Sequence, residues 1–556
     1  MIASCLQCKA NFEITTEDLQ FYDTVSPIIN GEKFPIPPPK LCPSCRNQRR
    51  LAFRNERKLY QRTSSLSGKS IISAYAPQDP YKVYDQAEWW SDVWDGTDYG
   101  RDFDFSKTMN EQLRELYRDV PHASLYTTNA ENSYYTNYTL NQKNCYLIFG
   151  AGNNEDCLYG KFVVQCKDVV DSLTLYSSEL CYQGIASERC YDCKFFLNCR
   201  GCTNSIMIED CSACQDCIGC YGLRSKQYCV FNKQYSREEY EQIKKEYEYL
   251  TPEKIAFLRE KLEELKKNLP RLQSHIYASE NCTGESVYNS KNCQNAFDAK
   301  DCEDCKYISF APKSLVAHDI AFCAPDGVRF CYNVCAAVDL ERCMSCFFTW
   351  YGSDMYYCMD CHHGKNLFAC VGLKSKQYCI LNKQYTKEEY EKLVPKIIEH
   401  MQKTGEFGEY FEFQTSAFPY NETVAQEYFP LTREQAEKMN LRWREEKEEV
   451  LNEETSTPPA DIREVDDSIL KKILVCEVSG KKYKIIPQEL EFYRKMKLPI
   501  PRRHPDQRHM DRLQYHNFQT VFDAICTKCN QAIKTMYPPE KQQNLTCEAC
   551  YMKEVY

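Results

Sequence analysis

The chain has 556 residues and a formal net charge of −9, from 70 Lys and Arg against 79 Asp and Glu. Its length implies several domains, and the mild acidity excludes a global nucleic-acid signature, so any basic site must be local. Thirty-five cysteines would suit an exported disulfide protein, yet the start MIASCLQCKANF carries no signal-peptide apolar region and no apolar run could span a membrane. Cys-x-x-Cys pairs at both ends point instead to a reducing, cytoplasmic setting.

Residues 1–60 carry Cys5-x-x-Cys8 and Cys42-Pro-Ser-Cys45. Two thiolate pairs on knuckles, brought together by the intervening chain, suit tetrahedral Zn²⁺, and four thiolates make such a metal structural. With Phe12, Ile14, Thr15, Glu17, Phe21, Tyr22 and Pro37 around them, these residues resemble bacterial treble-clef zinc ribbons. That resemblance covers the first tenth of the chain and implies a zinc site but no activity. Behind Cys45 stand Arg46, Arg49, Arg50, Arg54, Arg57, Lys58 and Arg62, with only Glu56 opposing; Arg46, Arg50, Arg54 and Arg57 share one side of a helix. A row of guanidinium groups suits the phosphates of nucleic acid or a ribonucleoprotein; a solvated face pairing with the acidic body is the competing expectation.

Residues 61–95 read as a degenerate zinc ribbon, with Ser64, Ser67, Asp85 and Glu88 at ligand spacing. Either they hold a metal through oxygen or the metal has been lost; hydroxyls ligate poorly, which favours loss. Residues 96–123, preceded by Trp89, Trp90 and Trp94 and containing Asp102-Phe103-Asp104-Phe105, read as an aromatic and helical cap over the open end of the first β-helix, at 124–235. No His or third ligand accompanies the paired Asp, so no catalytic site is expected there.

From Cys145 to Cys229 every third residue is thiol-bearing, small or apolar, with few exceptions, and every cysteine of the stretch falls on this comb. A longer beat of twelve runs Cys145, Cys157, Val169, Cys181, Cys193, Ser205, Cys217, Cys229, preceded by Asn144, Asp156, Asp168, Asp192, Asn204 and Asp216, types that tolerate tight corners. A period of three fits neither an amphipathic helix nor a strand; it fits a narrow coil that turns each third residue inward. The pattern resembles the twelve-residue coils of insect antifreeze β-helices, without their flat Thr-Cys-Thr face. Residues 124–235 thus form the first β-helix and 236–272 a helical connector, opened by the capping box Ser236-x-x-Glu239.

The stretch then repeats. GLRSKQYCVFNKQYSREEYE at 222–241 returns as GLKSKQYCILNKQYTKEEYE at 372–391, and the comb returns from Cys293 through Ala296, Ala299, Cys302, Cys305, Ile308 and Ala311. It slips between Cys323 and Cys331 and resumes through Cys343, Cys346, Cys358, Cys361, Cys370 and Cys379, with Cys282 and Cys335 off phase. So 273–385 is a second β-helix, 386–404 a helix opened by Thr386-x-x-Glu389, and 405–470 an aromatic and acidic linker. Lys226, Lys376, Asn232 and Asn382 of the repeated motif are expected to be structural, because a cap must be built twice.

The C-terminus duplicates the N-terminus. Cys476, Tyr483, Phe492, Tyr493, His504, Arg508 and Arg512 match Cys5, Phe12, Phe21, Tyr22, Cys42, Arg46 and Arg50. Cys526, Cys529, Cys547 and Cys550 match Ser64, Ser67, Asp85 and Glu88. Residues 471–515 are a degenerate treble clef, with Cys476 and His504 as remaining candidate ligands, and 516–556 a zinc ribbon.

The expected fold is mainly β: two tandem narrow right-handed parallel β-helices with Cys-lined bores, flanked by zinc modules. It resembles uncharacterised cysteine-rich bacterial proteins, which implies no activity. The expected cofactor is Zn²⁺ at two structural sites, Cys5, Cys8, Cys42, Cys45 and Cys526, Cys529, Cys547, Cys550. Inside the coil, Cys211, Cys214, Cys217 and Cys220 could be filler, a metal or cluster site, or stacked disulfides; Ser, Ala, Gly and Val at the same comb phase favour filler. No nucleophile–base pair, phosphate loop or open metal site emerges. The expected role is a non-enzymatic scaffold docking a protein or nucleic acid through Arg46, Arg49, Arg50, Arg54, Arg57, Arg508 and Arg512. A metal-storage or redox protein and a carbohydrate-acting β-helix enzyme are the alternatives.

Overall fold

The body is a parallel β-solenoid whose coils advance twelve residues at a time. The computed structural model describes residues 1–303, 305–306, 315–317, 329–331, 335–337, 340–341, 344, 347–445, 455–516 and 519–555. Strand partners in the first stack are twelve apart throughout, as in Asn137↔Phe149, Lys161↔Leu173, Cys181↔Cys193 and Cys217↔Cys229. Together they form a 12-stranded sheet from Thr127–Glu131 to Lys233–Gln234.

Corners explain the comb. From Tyr138 to Phe231 positive φ recurs at every third residue without a break, including non-glycines such as Leu147 (52°), Phe162 (55°), Thr174 (53°) and Ala186 (46°). The residue after each corner faces the bore. The twelve-beat predicts corners at its Asn and Asp; the structure adds them at the three-residue spacing of the comb. A left-handed conformation at a bulky residue is uphill by roughly 1 kcal/mol, and bonds between coils hold it, as where Asp171 N–H donates to the Leu158 carbonyl at 3.0 Å. Asn corners add side-chain ladders: Asn129 donates to Asn141 at 2.9 Å, and Asn141 to Asn153 at 2.7 Å.

Coils also stack from Ile276 to Gln384, where an 8-stranded sheet covers the later ones. Two departures from twelve account for off-phase Cys282 and for the slip before Cys331; Cys335 pairs with Phe347 at the regular twelve. Tyr277 pairs with Tyr288, eleven residues on, so Cys282 lies beneath Cys293 and its Sγ accepts the Cys293 N–H at 3.4 Å. Leu315 pairs with Arg329, fourteen on, which absorbs the slip before Cys331. The comb positions Ile308, Ala311, Cys323, Cys343 and Cys346 lie outside the described residues.

Each stack ends in the same way. Gln227–Val230 folds back on Lys233–Gln234, and Gln377–Ile380 on Lys383–Gln384. Capping boxes at Ser236 and Thr386 then open the helices Arg237–Glu246 and Lys387–Thr404. A second connector helix, Pro252–Lys266, starts at its proline with Thr251 as cap.

The chain divides into two units, and the division crosses the sequence order. Unit 1 combines Met1–Tyr126 with Ile276–Glu445 and Phe518–Val521; unit 2 combines Thr127–His275 with Glu446–Asn517 and Phe522–Tyr556. The N-terminal modules therefore share a unit with the second set of coils, and the C-terminal modules with the first. In unit 2 the solenoid side chains Leu158, Tyr159, Val170, Tyr182 and Ile218 bury in one core with Leu490, Phe492, Tyr493 and Met496. In unit 1 the aromatic segment differs from expectation: residues 89–102, predicted over the first β-helix, bond the last coil of the second set, as where Lys374 Nζ donates to the Trp89 carbonyl at 2.8 Å.

Residues 405–445, expected as linker, are packed structure. Tyr410, Phe411, Phe418, Tyr420 and Val424 are buried, Tyr420 OH accepts from Gln48 Nε2 at 2.9 Å, and Val424 N–H donates to the Arg54 carbonyl at 2.9 Å. The acidic residues 446–454 lie outside the described residues.

Candidate metal centres and the buried arginine rows

One hairpin is built at four places. At the first, Cys5 N–H donates to the Ala10 carbonyl (2.9 Å) and Lys9 N–H to the Cys5 carbonyl (3.0 Å). The same two bonds recur as Ser64 to Lys69 with Gly68 to Ser64, Cys476 to Lys481 with Gly480 to Cys476, and Cys526 to Gln531 with Asn530 to Cys526. Each turn needs a left-handed residue, and Lys9, Gly68, Gly480 and Asn530 supply φ of 63°, 72°, 69° and 58°. A strap then crosses behind: Leu6 N–H to Lys40 O, Ser65 to Val83, Glu477 to Arg502, and Thr527 to Leu545. A helix comes next in every copy, Pro43–Leu51, Gln86–Trp90, Pro505–Leu513 and Glu548–Val555.

Among the described residues, two of these places gather a metal-ligand set: Cys5, Cys8, Cys42, Cys45, and Cys526, Cys529, Cys547, Cys550, the sulfurs of each all within 4.8 Å of one another. Cys8 and Cys42 sulfurs are 3.6 Å apart, and Cys529 and Cys547 3.7 Å. A tetrahedral ion with metal–sulfur bonds of about 2.3 Å would space its ligands about 3.8 Å apart, so both sets fit one. Backbone donors favour the thiolate form. Cys42 N–H reaches Cys5 Sγ and Cys547 N–H reaches Cys526 Sγ, each at 3.3 Å. The Cys42 thiol is brought down to about 5, chiefly by the Cys45 thiol and against its burial. Burial works against Cys526 too, yet N–H groups of Cys547, Cys529 and Lys528 bring it to about 6.

The other two places hold themselves by hydrogen bonds. Ser64 Oγ donates to Glu88 at 2.5 Å, and Glu88 also accepts from Asp85 N–H at 3.2 Å. The Ser64 and Ser67 hydroxyls keep the Glu88 carboxyl below its usual range. Asp85 caps the Gln86–Trp90 helix through Ala87 N–H at 3.0 Å. All four groups thus have hydrogen-bonding work without a metal. At the C-terminal counterpart, Cys476 accepts from Ser479 N–H at 3.4 Å, and His504 Nδ1 accepts from Asp506 N–H at 3.0 Å as a helix cap.

The arginines are placed differently from expectation. Arg46, Arg50 and Arg54 are 3 %, 0 % and 2 % exposed. Arg46 Nη1 donates to the Leu41 carbonyl at 2.7 Å, and Arg54 pairs with buried Glu56 at 2.8 Å. Arg49, half-buried, lies over the Phe413 ring at 5.5 Å, and Arg57 is half-buried too. In unit 2, Arg508 bonds Asp171 and, at 3.2 Å, Glu489, while Arg512 reaches Asp171 at 2.8 Å. Tyr159 and Tyr493 hydroxyls donate to the same Glu489 carboxylate at 2.8 and 2.6 Å. This buried network ties the Pro505–Leu513 helix to a coil corner. Helical spacing of arginines is the same whether the partner is a phosphate or a buried carboxylate, so the rows read alike in sequence. Nothing in the residue pattern singles out Asp171, Glu489 or Tyr159; the alignment of Glu489 with Asp18 and of Tyr493 with Tyr22 carries the one available signal.

The bore thiols bond to the backbone of their own and the next coil. Cys181 Sγ donates to the Glu179 carbonyl at 3.3 Å and to Cys190 O, nine residues on, at 3.6 Å; Cys157, Cys190, Cys199 and Cys220 repeat the pattern. Among the described residues no two bore cysteines are joined by a disulfide, and none belongs to a four-sulfur group of the kind found at the two ends. Large and small alternate: the Phe196 ring occupies the space that a Cβ at Gly184 would need.

No protein-family model matches the chain, and no curated protein or solved structure does. Among the described residues, no helix is long and apolar enough to cross a membrane.

Proposed function

We propose that this protein is a non-enzymatic scaffold in which two structural Zn²⁺ ions, held in treble-clef-like modules, cross-link the terminal modules that pack on two tandem β-helices. The observation that carries the reading is the pair of four-sulfur groups. Four thiolates close a zinc shell and leave no position for substrate or hydrolytic water, so the metal's contribution is folding energy. Buried arginines in both knuckles serve the interior, and docking of nucleic acid through them finds no support in their burial. The Cys-x-x-Cys pairs at both ends suit a reducing, cytoplasmic setting.

The test is metal content per chain by mass spectrometry on anaerobically purified protein, with a thiol count on the same sample. About two zinc ions, with every cysteine outside the two groups titrating as free thiol, is expected. Iron with visible absorbance, or metal well above two per chain, would move the function into the bore.

A further inference from the structure

The repeated end coil has an occupant in unit 1 that has no counterpart among the described residues of unit 2. In unit 1, residues 89–102 lie across the turn Gly372–Tyr385. Lys374 Nζ donates to the Trp89 and Ser91 carbonyls at 2.8 and 2.7 Å, and Lys376 pairs with Asp95 at 2.6 Å. Asn382 Nδ2 donates to the Gly96 carbonyl at 2.9 Å, and Arg101 N–H donates to the Leu381 carbonyl at 3.1 Å. Lys383 pairs with Asp102 at 2.6 Å, and Tyr385 OH donates to that carboxylate at 3.1 Å. The approach is close. A Cβ at Gly96 would meet Gly372 O at 3.0 Å, and one at Gly100 would meet Lys383 Cα at 2.8 Å. The strap is thus recognised as Asp-Gly-x-x-x-Gly-x-Asp, two carboxylates flanking two glycines that let backbone lie on backbone.

Unit 2 carries the same surface, GLRSKQYCVFNKQY. Its first contact is the same in kind: Arg224 lies over Tyr551 at 5.6 Å, as Lys374 lies over Trp89 at 5.6 Å. Asn232 is preset as Asn382 is, bonding Tyr221 through both its amide oxygen (2.9 Å) and nitrogen (2.8 Å), where Asn382 bonds Val371 at 2.8 and 2.7 Å. Beyond that the parallel stops. Lys226 and Lys233, the counterparts of Lys376 and Lys383, are exposed and make no ion pair among the described residues. Among those residues, no carboxylate of unit 2 stands where Asp95 and Asp102 stand in unit 1.

We propose that the end coil of unit 2 is a docking site for an acidic, glycine-spaced segment of a partner protein, bound as residues 95–102 are bound in unit 1. Lys226 and Lys233 take its two carboxylates, and the second Asn232 amide hydrogen takes a main-chain carbonyl between them. The site uses none of the zinc ligands, so it stands or falls independently of the metal reading.

The test uses a fluorescein-labelled peptide with the sequence of residues 93–104, VWDGTDYGRDFD, titrated by anisotropy into the full-length, zinc-loaded protein. Saturable, salt-sensitive binding is expected, weakened about tenfold or more in the Lys226→Glu/Lys233→Glu variant and for a peptide with both flanking Asp changed to Lys. These lysines are exposed and make no ion pair among the described residues, so the variant should keep the wild-type melting curve. Absence of saturable binding by the wild-type protein overturns the proposal. So does binding that survives Lys226→Glu/Lys233→Glu but is lost in Lys376→Glu/Lys383→Glu, since the peptide would then be exchanging with the strap of unit 1. An oligonucleotide that binds through Lys226 and Lys233 where the peptide does not would overturn it in favour of phosphate.

Discussion

Units 1 and 2 are assembled from the same parts with the cysteine clusters at opposite places. Unit 1 has its four sulfurs in the first hairpin module and a serine–carboxylate hydrogen-bond set in the second; unit 2 has Cys476 and a capping His504 in the first and four sulfurs in the second. The hairpin and strap bonds of all four modules are nevertheless the same. Each unit thus pairs one module that carries a four-sulfur group with one held by hydrogen bonds and ion pairs. The two modules without a sulfur group use different substitutes. The second module of unit 1 relies on Ser64, Glu88 and Asp85, whereas the first module of unit 2 relies on the buried network of Asp171, Arg508, Glu489 and Arg512.

The sharpest way to break this comparison is Arg508→Leu. It leaves Asp171 and Glu489 buried with one cation fewer, and should cost about 3–5 kcal/mol in unit 2. The counterpart Arg46→Leu removes a donor to a main-chain carbonyl and should cost about 1–3 kcal/mol in unit 1. Because all five tryptophans lie in unit 1, urea unfolding followed by tryptophan emission reports that unit, and hydrogen exchange by mass spectrometry reports unit 2. Equal losses in both units would remove the distinction.

A second difference is a buried carboxyl in unit 1 that bonds a hydroxyl, where Asp171 and Glu489 of unit 2 bond arginines. Asp360 accepts from Tyr126 OH at 2.6 Å, and its burial pushes the carboxyl up to about 7. The folded form holds its proton more tightly than the unfolded chain. Its contribution to stability is therefore complete below about pH 4 and is lost as pH rises towards 7, with no further change above. Asp360→Asn should remove that loss, making the variant more stable than wild type by up to about 4 kcal/mol at pH 8 and no different at pH 4. Melting of the wild type and variant at both pH values checks the sign.

The smallest effect sharpens the account of the self-bonded module. Ser64→Ala should cost about 1 kcal/mol without changing metal content. Replacing Ser64, Ser67, Asp85 and Glu88 together by Cys should raise zinc from about two to about three per chain, since the hairpin and strap bonds are already those of the cysteine-bearing copies. Zinc unchanged by the fourfold replacement would mean that the backbone likeness does not extend to the ligand positions.

Much of this architecture was legible in the sequence. The comb from Cys145 to Cys229 marked the bore, because an inward side chain at each third residue must be small wherever a coil is narrow. The paired Cys-x-x-Cys motifs marked both sulfur groups, and Ser236-x-x-Glu239 and Thr386-x-x-Glu389 marked two helix starts. Left-handed corners at Leu147, Phe162 and Thr174 were not legible, since those residue types disfavour that conformation and adopt it because stacked coils bond one another's backbone around them.

What the sequence determined by itself was everything repeated or set by short spacing: coil period, the inward comb, the two four-cysteine groups and the duplication of both ends. Only the tertiary structure decided which module joins which coils, that residues 405–445 pack on the Pro43–Leu51 helix, and that the arginine rows face inward. Periodicity and ligand spacing are local and survive in one dimension. A guanidinium group, by contrast, offers the same donors to a phosphate in water as to a carboxylate such as Asp171, and only the arrival of that carboxylate from more than three hundred residues away fixes its side of the surface.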